Sequence, residues 1–388
     1  MGGLLSSDCA VSPLCNYNVV WLAYLDGNSF SGMLEGPANY TTPSGAVAQL
    51  WFRGRRIIDA VVDAVSRNVM GASRLLKDAV NVVETGCSAG GLATYLHADY
   101  ISSLVPRSGA YYSLPISGYF LDYPSVANGT FVYSAQIASI YAISNASTNA
   151  ACQSAHAATG DAWRCNMAEY VYPFIQENVF ILNSKCALLA PRGWRCCCVC
   201  ARSASGPPLL TASPFFAPLL GARAADDSWQ TQCILTATPV PVGSEQNGAC
   251  GTAPGWGECA GRPSNCSSDQ ILHGYLPFGE AFETSVSIVN AAKSSAPGNG
   301  AFIVSCHQHC EAQNSEAFDC QWPFCCAPPA ARTNCLSHPA APATPLTPPR
   351  NACSLFHWQH HHDAGRDCLD AGQQRPRCPR ARRRAQLF

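Results

Sequence analysis

Charge is scarce in this chain of 388 residues: Asp, Glu, Lys and Arg make up 13% of it, about half the globular norm of roughly 25%. The little there is nearly cancels, 24 basic residues against 25 acidic, and it is unevenly placed. Residues 371–388 hold Arg375, Arg377, Arg380, Arg382, Arg383 and Arg384 with no acid, which leaves −7 on the remainder against −1 overall. A mildly acidic body argues against a nucleic-acid-binding surface. The arginine-rich, proline-rich end reads as a solvated, disordered terminus rather than a contact for nucleic acid or an acidic polysaccharide. Also missing is any run near the ~18 consecutive apolar residues of a membrane span, and the first residues lack the basic-then-apolar layout of a secretory signal. The expectation is a chain that neither spans a membrane nor shows its own export signal. A hydrophobic content of 47% excludes a disordered or fibrous protein for most of the length.

Cysteine, by contrast, is abundant, with 23 residues. So many thiols point to an oxidising compartment, and four sequons at Asn39, Asn128, Asn145 and Asn265 point the same way. The opening Met-Gly-Gly-Leu-Leu-Ser also fits an N-myristoylation pattern. Lipidation accounts for neither the cysteines nor the sequons, so the reading is secreted. Twelve of the cysteines fall in two stretches that lack a periodic apolar face, 185–223 and 320–388. The expected organisation is a domain over 1–319, interrupted by an irregular insert at 185–223, and a disordered Cys/Pro/Arg-rich tail over 320–388.

The rest alternates strand and helix patterns. Val19–Leu25 is a nearly continuous apolar run ended by Asp26-Gly27-Asn28, which predicts a buried strand and a turn. Ile57, Ile58, Val61, Val62 and Val65 mark one face of a helix over Arg55–Val65. Val80–Val83 predicts a strand, Gly90–Leu104 a helix, and Val179–Leu182 and Ala301–Val304 two further strands. This rhythm belongs to an α/β protein with a mostly parallel sheet.

Between the strand at Val80 and the helix at Gly90 lies Gly86-Cys87-Ser88-Ala89-Gly90, a Gly-x-Ser-x-Gly elbow. The tight turn forces the serine into strained backbone angles, and side chains at the flanking glycines are expected to collide with the neighbouring strand and helix. The amide of Ala89 and the helix N-terminus then face an oxyanion formed on a substrate carbonyl. A serine nucleophile needs a histidine base held by a carboxylate, in the chain order Ser, acid, His. Asp226 or Asp227 supplies the acid by position, and His307 or His309, just past the strand at Ala301–Val304, supplies the base. Spacing does not choose within either pair.

These residues carry a resemblance. Asp26-Gly27-Asn28-Ser29-Phe30-Ser31-Gly32, Phe52-Arg53-Gly54, Gly86-Cys87-Ser88-Ala89-Gly90-Gly91-Leu92-Ala93, Phe180-Ile181-Leu182-Asn183-Ser184, Asp227-Ser228-Trp229-Gln230 and Phe302-Ile303-Val304-Ser305-Cys306 with His309-Cys310 are similar to blocks of the pectin acetylesterase family, which also contains the Notum carboxylesterases. The resemblance implies an α/β-hydrolase fold, secretion to the cell wall or outside the cell, and cofactor-free ester hydrolysis by Ser88, Asp227 and His309. It resolves the open pairs against Asp226 and His307. It implies an acetylated, pectin-like polysaccharide as substrate, with a Notum-like deacylase of a lipidated protein as the alternative. It also implies a disulfide between Cys152 and Cys165.

Three departures accompany it. The family's Leu-Glu-Gly-Gly-Gly-Trp-Cys segment, whose amides supply part of the oxyanion hole, has no counterpart here, and the Asp26–Gly32 loop is the alternative source of a second donor. The family's Tyr-Cys-Asp-Gly is Tyr24-Leu25-Asp26-Gly27. About 40 residues separate Asn183-Ser184 from the Asp-Ser-Trp-Gln block, which the family joins almost directly. A non-catalytic secreted glycoprotein, or a gene model filled with intron-like sequence at 185–223 and 320–388, is the rival reading. The cluster of His357, His360, His361, His362 and Asp363 with Cys353 and Cys368, and that of Cys196–Cys200, lack the small core and paired knuckles of structural zinc, so no metal site is expected there.

Overall fold

A computed structural model describes residues 3–9, 12–41, 45–69, 71, 75–105, 109–187, 223–225, 230–238, 251–261, 263–293, 298–304 and 309–310. Four strands form its parallel sheet, in the order β3 (Asn81–Cys87), β4 (Ala110–Ile116), β5 (Asn178–Ala187) and β7 (Gly300–Val304). A short strand, β6 (Arg223–Ala225), pairs antiparallel with the far end of β5, Lys185 opposite Ala225. A separate hairpin joins β1 (Ala38–Thr41) to β2 (Val47–Leu50). The helices that matter to the site are α1 (Gly54–Ser66), α2 (Ala89–Leu104), α3 (Val132–Ser144), α4 (Ala150–His156) and α5 (Leu276–Lys293). Parallel strands joined through helices make the α/β class expected from the sequence, and every expected strand after residue 80 is present. β5 continues through Ala187, three residues into the stretch expected to be irregular. The rest of that insert, 188–222, the last residues of the expected domain, 311–319, and the whole tail, 320–388, lie outside the described residues.

Burial explains why each element forms where it does. In β4, Tyr111, Ser113 and Pro115 are buried in alternation, the period-2 signature of a strand with one covered face. α5 buries Phe278, Phe282, Val286 and Val289, a stripe at helical spacing. α2 carries Tyr95 into an aromatic cluster, edge-on to Tyr119 at 5.9 Å and to Tyr172 at 5.7 Å, while Tyr119 meets Phe282 of α5 at 5.6 Å. Such edge-to-face pairs add about 0.5–1.5 kcal/mol each beyond their buried area. Tyr119 and Tyr172 direct their hydroxyls to Ser285 and Asn290. The Tyr95 hydroxyl is buried and meets no hydrogen-bond partner among the described residues. Burying an unsatisfied hydroxyl costs about 1–3 kcal/mol. Tyr95→Phe is therefore expected to stabilise the protein by about 1 kcal/mol, measured as a higher urea midpoint at unchanged slope.

The strand expected at Val19–Leu25 is absent. Val19, Val20, Trp21 and Leu25 are half or more exposed and belong to no strand. An apolar run becomes a strand only where a neighbour pairs its backbone, and among the described residues β3 is paired on its β4 side alone. Leu22 turns inward, against the cluster of Phe30, Ile58 and Ala93. The following turn is tightly built. The Asp26 carboxylate is buried and accepts from the amides of Asn28, Phe30, Gly32 and Gly54 at 3.0–3.1 Å.

The expected Cys152–Cys165 disulfide is present and ties α4 to the turn that follows it. Cys9–Cys15 and Cys259–Cys266 close two short loops. All four sequon asparagines are exposed. Among the described residues, no helix is long and apolar enough to cross a membrane.

Candidate active site

The site is built at the carboxyl ends of the parallel strands, where open α/β sheets place their ligand crevices. β3 ends at Cys87 and α2 begins at Ala89, so the whole reversal of direction falls on Ser88. Its backbone sits at φ 58°, ψ −122°, a conformation that costs a non-glycine residue on the order of 1–3 kcal/mol and that clusters at functional sites. The Ser88 N–H donates to Ile116 O at 3.0 Å, which pins the turn to the end of β4. A serine at a helix N-cap ordinarily turns its hydroxyl onto the first amides of its own helix. Ser88 makes no such bond, so its Oγ is not spent on capping, and the residue is partly exposed. The first amides of α2, at Ala89, Gly90 and Gly91, have no acceptor inside the helix and carry the positive end of its dipole.

The glycines of the elbow divide differently from expectation. A Cβ on Gly86 meets the Gly90 carbonyl at 2.5 Å, as anticipated. A Cβ on Gly90 meets nothing within 4 Å, so the expected collision there is absent. The crowding lies one residue later, where a Cβ on Gly91 approaches Ile116 O to 2.3 Å and one on Gly118 approaches the Gly91 carbon to 2.2 Å. α2 crosses the end of β4 backbone against backbone, which the Gly-x-Ser-x-Gly pattern alone does not reveal.

His309 lies beside this elbow. Cys87 and Cys310 form a disulfide with Cα atoms 5.5 Å apart, which joins the residue before the serine to the residue after the histidine. With 3.8 Å between successive Cα atoms, Ser88 and His309 are held within about 13 Å of each other at the backbone. A ring nitrogen of His309 lies within 4.8 Å of both sulfurs. Cys310 takes φ +68° and donates its amide to Ser117 Oγ at 3.1 Å, and Ser117 is itself at φ +48°. Strained residues thus stand at Ser88, Ser117 and Cys310, around one point. Asp226, Asp227 and His307 lie outside the described residues. In the chain, Asp227 comes two residues after β6, and Gln230 is buried with its Oε1 accepting from the Leu121 amide at 3.1 Å.

Other titratable groups near the elbow are committed elsewhere. His97 of α2 is fully buried, with Nε2–H donating to Ser29 O at 3.0 Å and Nδ1 facing Arg55 at 3.4 Å. Burial, then the Arg55 charge, pushes it down to about 3, so it is a neutral structural imidazole. Glu84 of β3 accepts from the Tyr111 hydroxyl at 2.7 Å and is pushed up to about 8 by desolvation. It lies four residues before Ser88, about 13 Å along a strand, too far to orient a base there. The Asp26–Gly32 loop does not supply the second oxyanion donor either. Its amides from Asn28 to Gly32 are taken by Asp26, the Tyr24 hydroxyl and Asn28 O. A cavity of about 490 Å³ beside Phe131, Trp163 and Tyr170 includes neither Ser88 nor His309, and its Arg164 is paired with Asp122 and Asp161.

Two groups of His and Cys side chains stand close enough to hold a metal among the described residues, Cys87–His309–Cys310 and Cys152–His156–Cys165. In both the cysteines are bonded to each other, so neither offers the thiolates that such a site needs. The clusters considered for zinc in the sequence lie outside the described residues. Sequence reasoning quoted Cys87 and Cys310 but did not pair them. Their adjacency to the serine and to the histidine was the available signal.

Residues 1–187 match the family model described as Pectinacetylesterase, a span that includes the elbow and ends with β5. Pectin acetylesterase 7 of Arabidopsis thaliana is 26% identical over 314 residues, 80% of this chain and 61% of that protein. Pectin acetylesterase 5 of the same plant is 27% identical over 314 residues and is covered to 56%. The chain thus spans about 60% of the length of these curated relatives. Palmitoleoyl-protein carboxylesterase NOTUM of Schmidtea mediterranea is 26% identical over 195 residues, 47% of this chain and 34% of that one. A solved structure of the Wnt deacylase Notum from Drosophila is 21% identical and superposes with a TM-score of 0.38 over 46% of this chain and 50% of that one. The resemblance drawn from the sequence is borne out.

Proposed function

We propose that this chain, a pectinacetylesterase relative through residues 1–187, is a secreted serine carboxylesterase that removes acetyl groups from a cell-wall polysaccharide such as pectin. The observation that carries the proposal is the strained, uncapped Ser88 joined through Cys87–Cys310 to the neighbour of His309. In this reading Ser88 Oγ attacks the acetyl carbonyl while His309 takes its proton. Asp227 holds the imidazole in the tautomer that accepts that proton and stabilises the imidazolium. The developing oxyanion is met by the Ala89 amide at the positive end of α2. The sugar hydroxyl leaves with the proton from His309, and water, deprotonated by the same imidazole, releases acetate from the acyl-enzyme. None of these steps calls on a cofactor. The exposed sequons and the disulfides Cys9–Cys15, Cys87–Cys310, Cys152–Cys165 and Cys259–Cys266 support the secreted assignment.

The test is to treat the full chain with a fluorophosphonate and map the adduct, alongside acetate release from acetylated pectin. The expected result is one adduct on Ser88, none in Ser88→Ala, and release of acetate that the probe blocks. Labelling elsewhere, or none, would sink the serine mechanism. Ser88 labelling with no acetate from pectin, but with cleavage of a long-chain acyl peptide, would transfer the reading to a lipidated protein substrate.

A further inference from the structure

We propose that Cys87 and Cys310 are positioning residues for the hydrolytic pair, and that their disulfide holds His309 in register with Ser88. The proposal rests on the esterase reading above. The disulfide closes a span of 223 residues, yet its ends fall at the two positions next to the nucleophile and the base. Three further bonds complete the frame around it. Ser88 N–H is fixed to Ile116 O at 3.0 Å, Ser117 N–H to Leu182 O at 2.8 Å, and Cys310 N–H to Ser117 Oγ at 3.1 Å. The ends of β3 and β4 are thereby tied to one another, to the middle of β5 at Leu182 and to the histidine segment.

The backbone angles show what such ties must hold. Ser88, Ser117 and Cys310 all occupy positive φ, which non-glycine residues keep only when their surroundings over-determine them. Cys310 is gripped at both its sulfur and its amide, so the residue before it has little freedom to drift from the elbow. A base displaced by about 1 Å costs on the order of 100-fold in rate, because proton transfer needs a near-attack geometry. The disulfide at Cys152–Cys165, between α4 and the turn beyond it, provides the contrast: it is fully buried and fastens the core without touching the elbow.

The experiment compares Cys87→Ala/Cys310→Ala with Cys152→Ala/Cys165→Ala in the full chain, reading kcat and KM for p-nitrophenyl acetate and the melting temperature of each. The expected result is that loss of Cys87–Cys310 lowers kcat about 10- to 100-fold with KM within twofold, at a temperature where the variant is folded. Loss of Cys152–Cys165 lowers the melting temperature and leaves kcat unchanged. If the first variant does not fold, the wild-type chain is partially reduced and alkylated, and kcat is plotted against cleavage of each bond mapped by mass spectrometry. A rate that follows Cys87–Cys310 cleavage supports the proposal. Unchanged kcat with that bond cut, or an equal fall when Cys152–Cys165 is cut, overturns the positioning role and leaves the esterase reading standing. A wild-type chain without Ser88-dependent turnover overturns the esterase reading, and this role falls with it.

Discussion

Ser88→Ala is expected to lower kcat for p-nitrophenyl acetate by about 10⁴-fold or more, and His309→Ala to do nearly the same, while the double variant loses no more than either alone. Nucleophile and base act as one unit, because removing the base leaves a serine hydroxyl of ordinary, weak nucleophilicity. Whatever remains comes from binding and from oxyanion stabilisation by the amides at the start of α2, which neither substitution touches. The melting temperature of Ser88→Ala is expected to stay level or rise, provided alanine keeps the positive φ of 58° no worse than serine does. Stopped-flow and steady-state rates on the three variants check the claim. Losses that multiply in the double variant would show that His309 acts independently of Ser88, and the base would have to be sought elsewhere.

The parts of this site that could be read from the sequence are those encoded locally. Gly-Cys-Ser-Ala-Gly is legible because one turn of chain must satisfy a strand end, a helix start and a strained residue together, and few residue types permit it. α2, β3, β5 and β7 were readable for a similar reason: each carries its own contiguous apolar pattern in the sequence. β4 and α5 were not anticipated. β4 mixes tyrosine, serine and proline, so its alternation shows in burial but not in hydropathy. The stripe on α5 is interrupted by glycine, threonine and serine in a helix that the aromatic cluster, not propensity, holds in place.

The segment at Val19–Leu25 fails in the opposite way. Its residues favour a strand, but a strand is a property of two partners, and the ladder is not there to receive it. The Cys87–Cys310 link is likewise long-range, 223 residues apart, and only the adjacency of its ends to the serine and the histidine hints at it in the sequence. The crowding at Gly91 and Gly118 also becomes visible only when α2 is laid across β4.

Asp26→Ala is expected to cost about 4–5 kcal/mol, enough to leave little of the roughly 5–15 kcal/mol that holds a typical domain. One buried carboxylate satisfies four backbone amides, and its loss strands all of them. Bonds to a charged acceptor contribute about 1.5–3 kcal/mol each, though neighbours sharing one carboxylate do not add in full. Asp26→Asn should cost less than alanine but well over 1 kcal/mol, since its amide group must turn donors toward at least one N–H. Gly54→Ala acts on the same point from the other side, because its Cβ would fall 2.1 Å from Asp26 Oδ2 and displace the carboxylate. Asp26→Ala and Gly54→Ala together should destabilise by less than the sum of the two, since the loss of the carboxylate is shared while the 2.2 Å approach of the new Cβ to Phe30 Cα is not. The effect reaches the site through His97, whose Nε2–H grips Ser29 O in this loop while its helix carries the elbow at the other end. Urea unfolding gives the stabilities, and the fluorophosphonate labelling rate of Ser88 gives the consequence at the elbow. If Asp26→Ala kept its stability within 1 kcal/mol of wild type, the loop's amides would have found other acceptors. Asp26 would then not be what fastens the turn to α1 and α2.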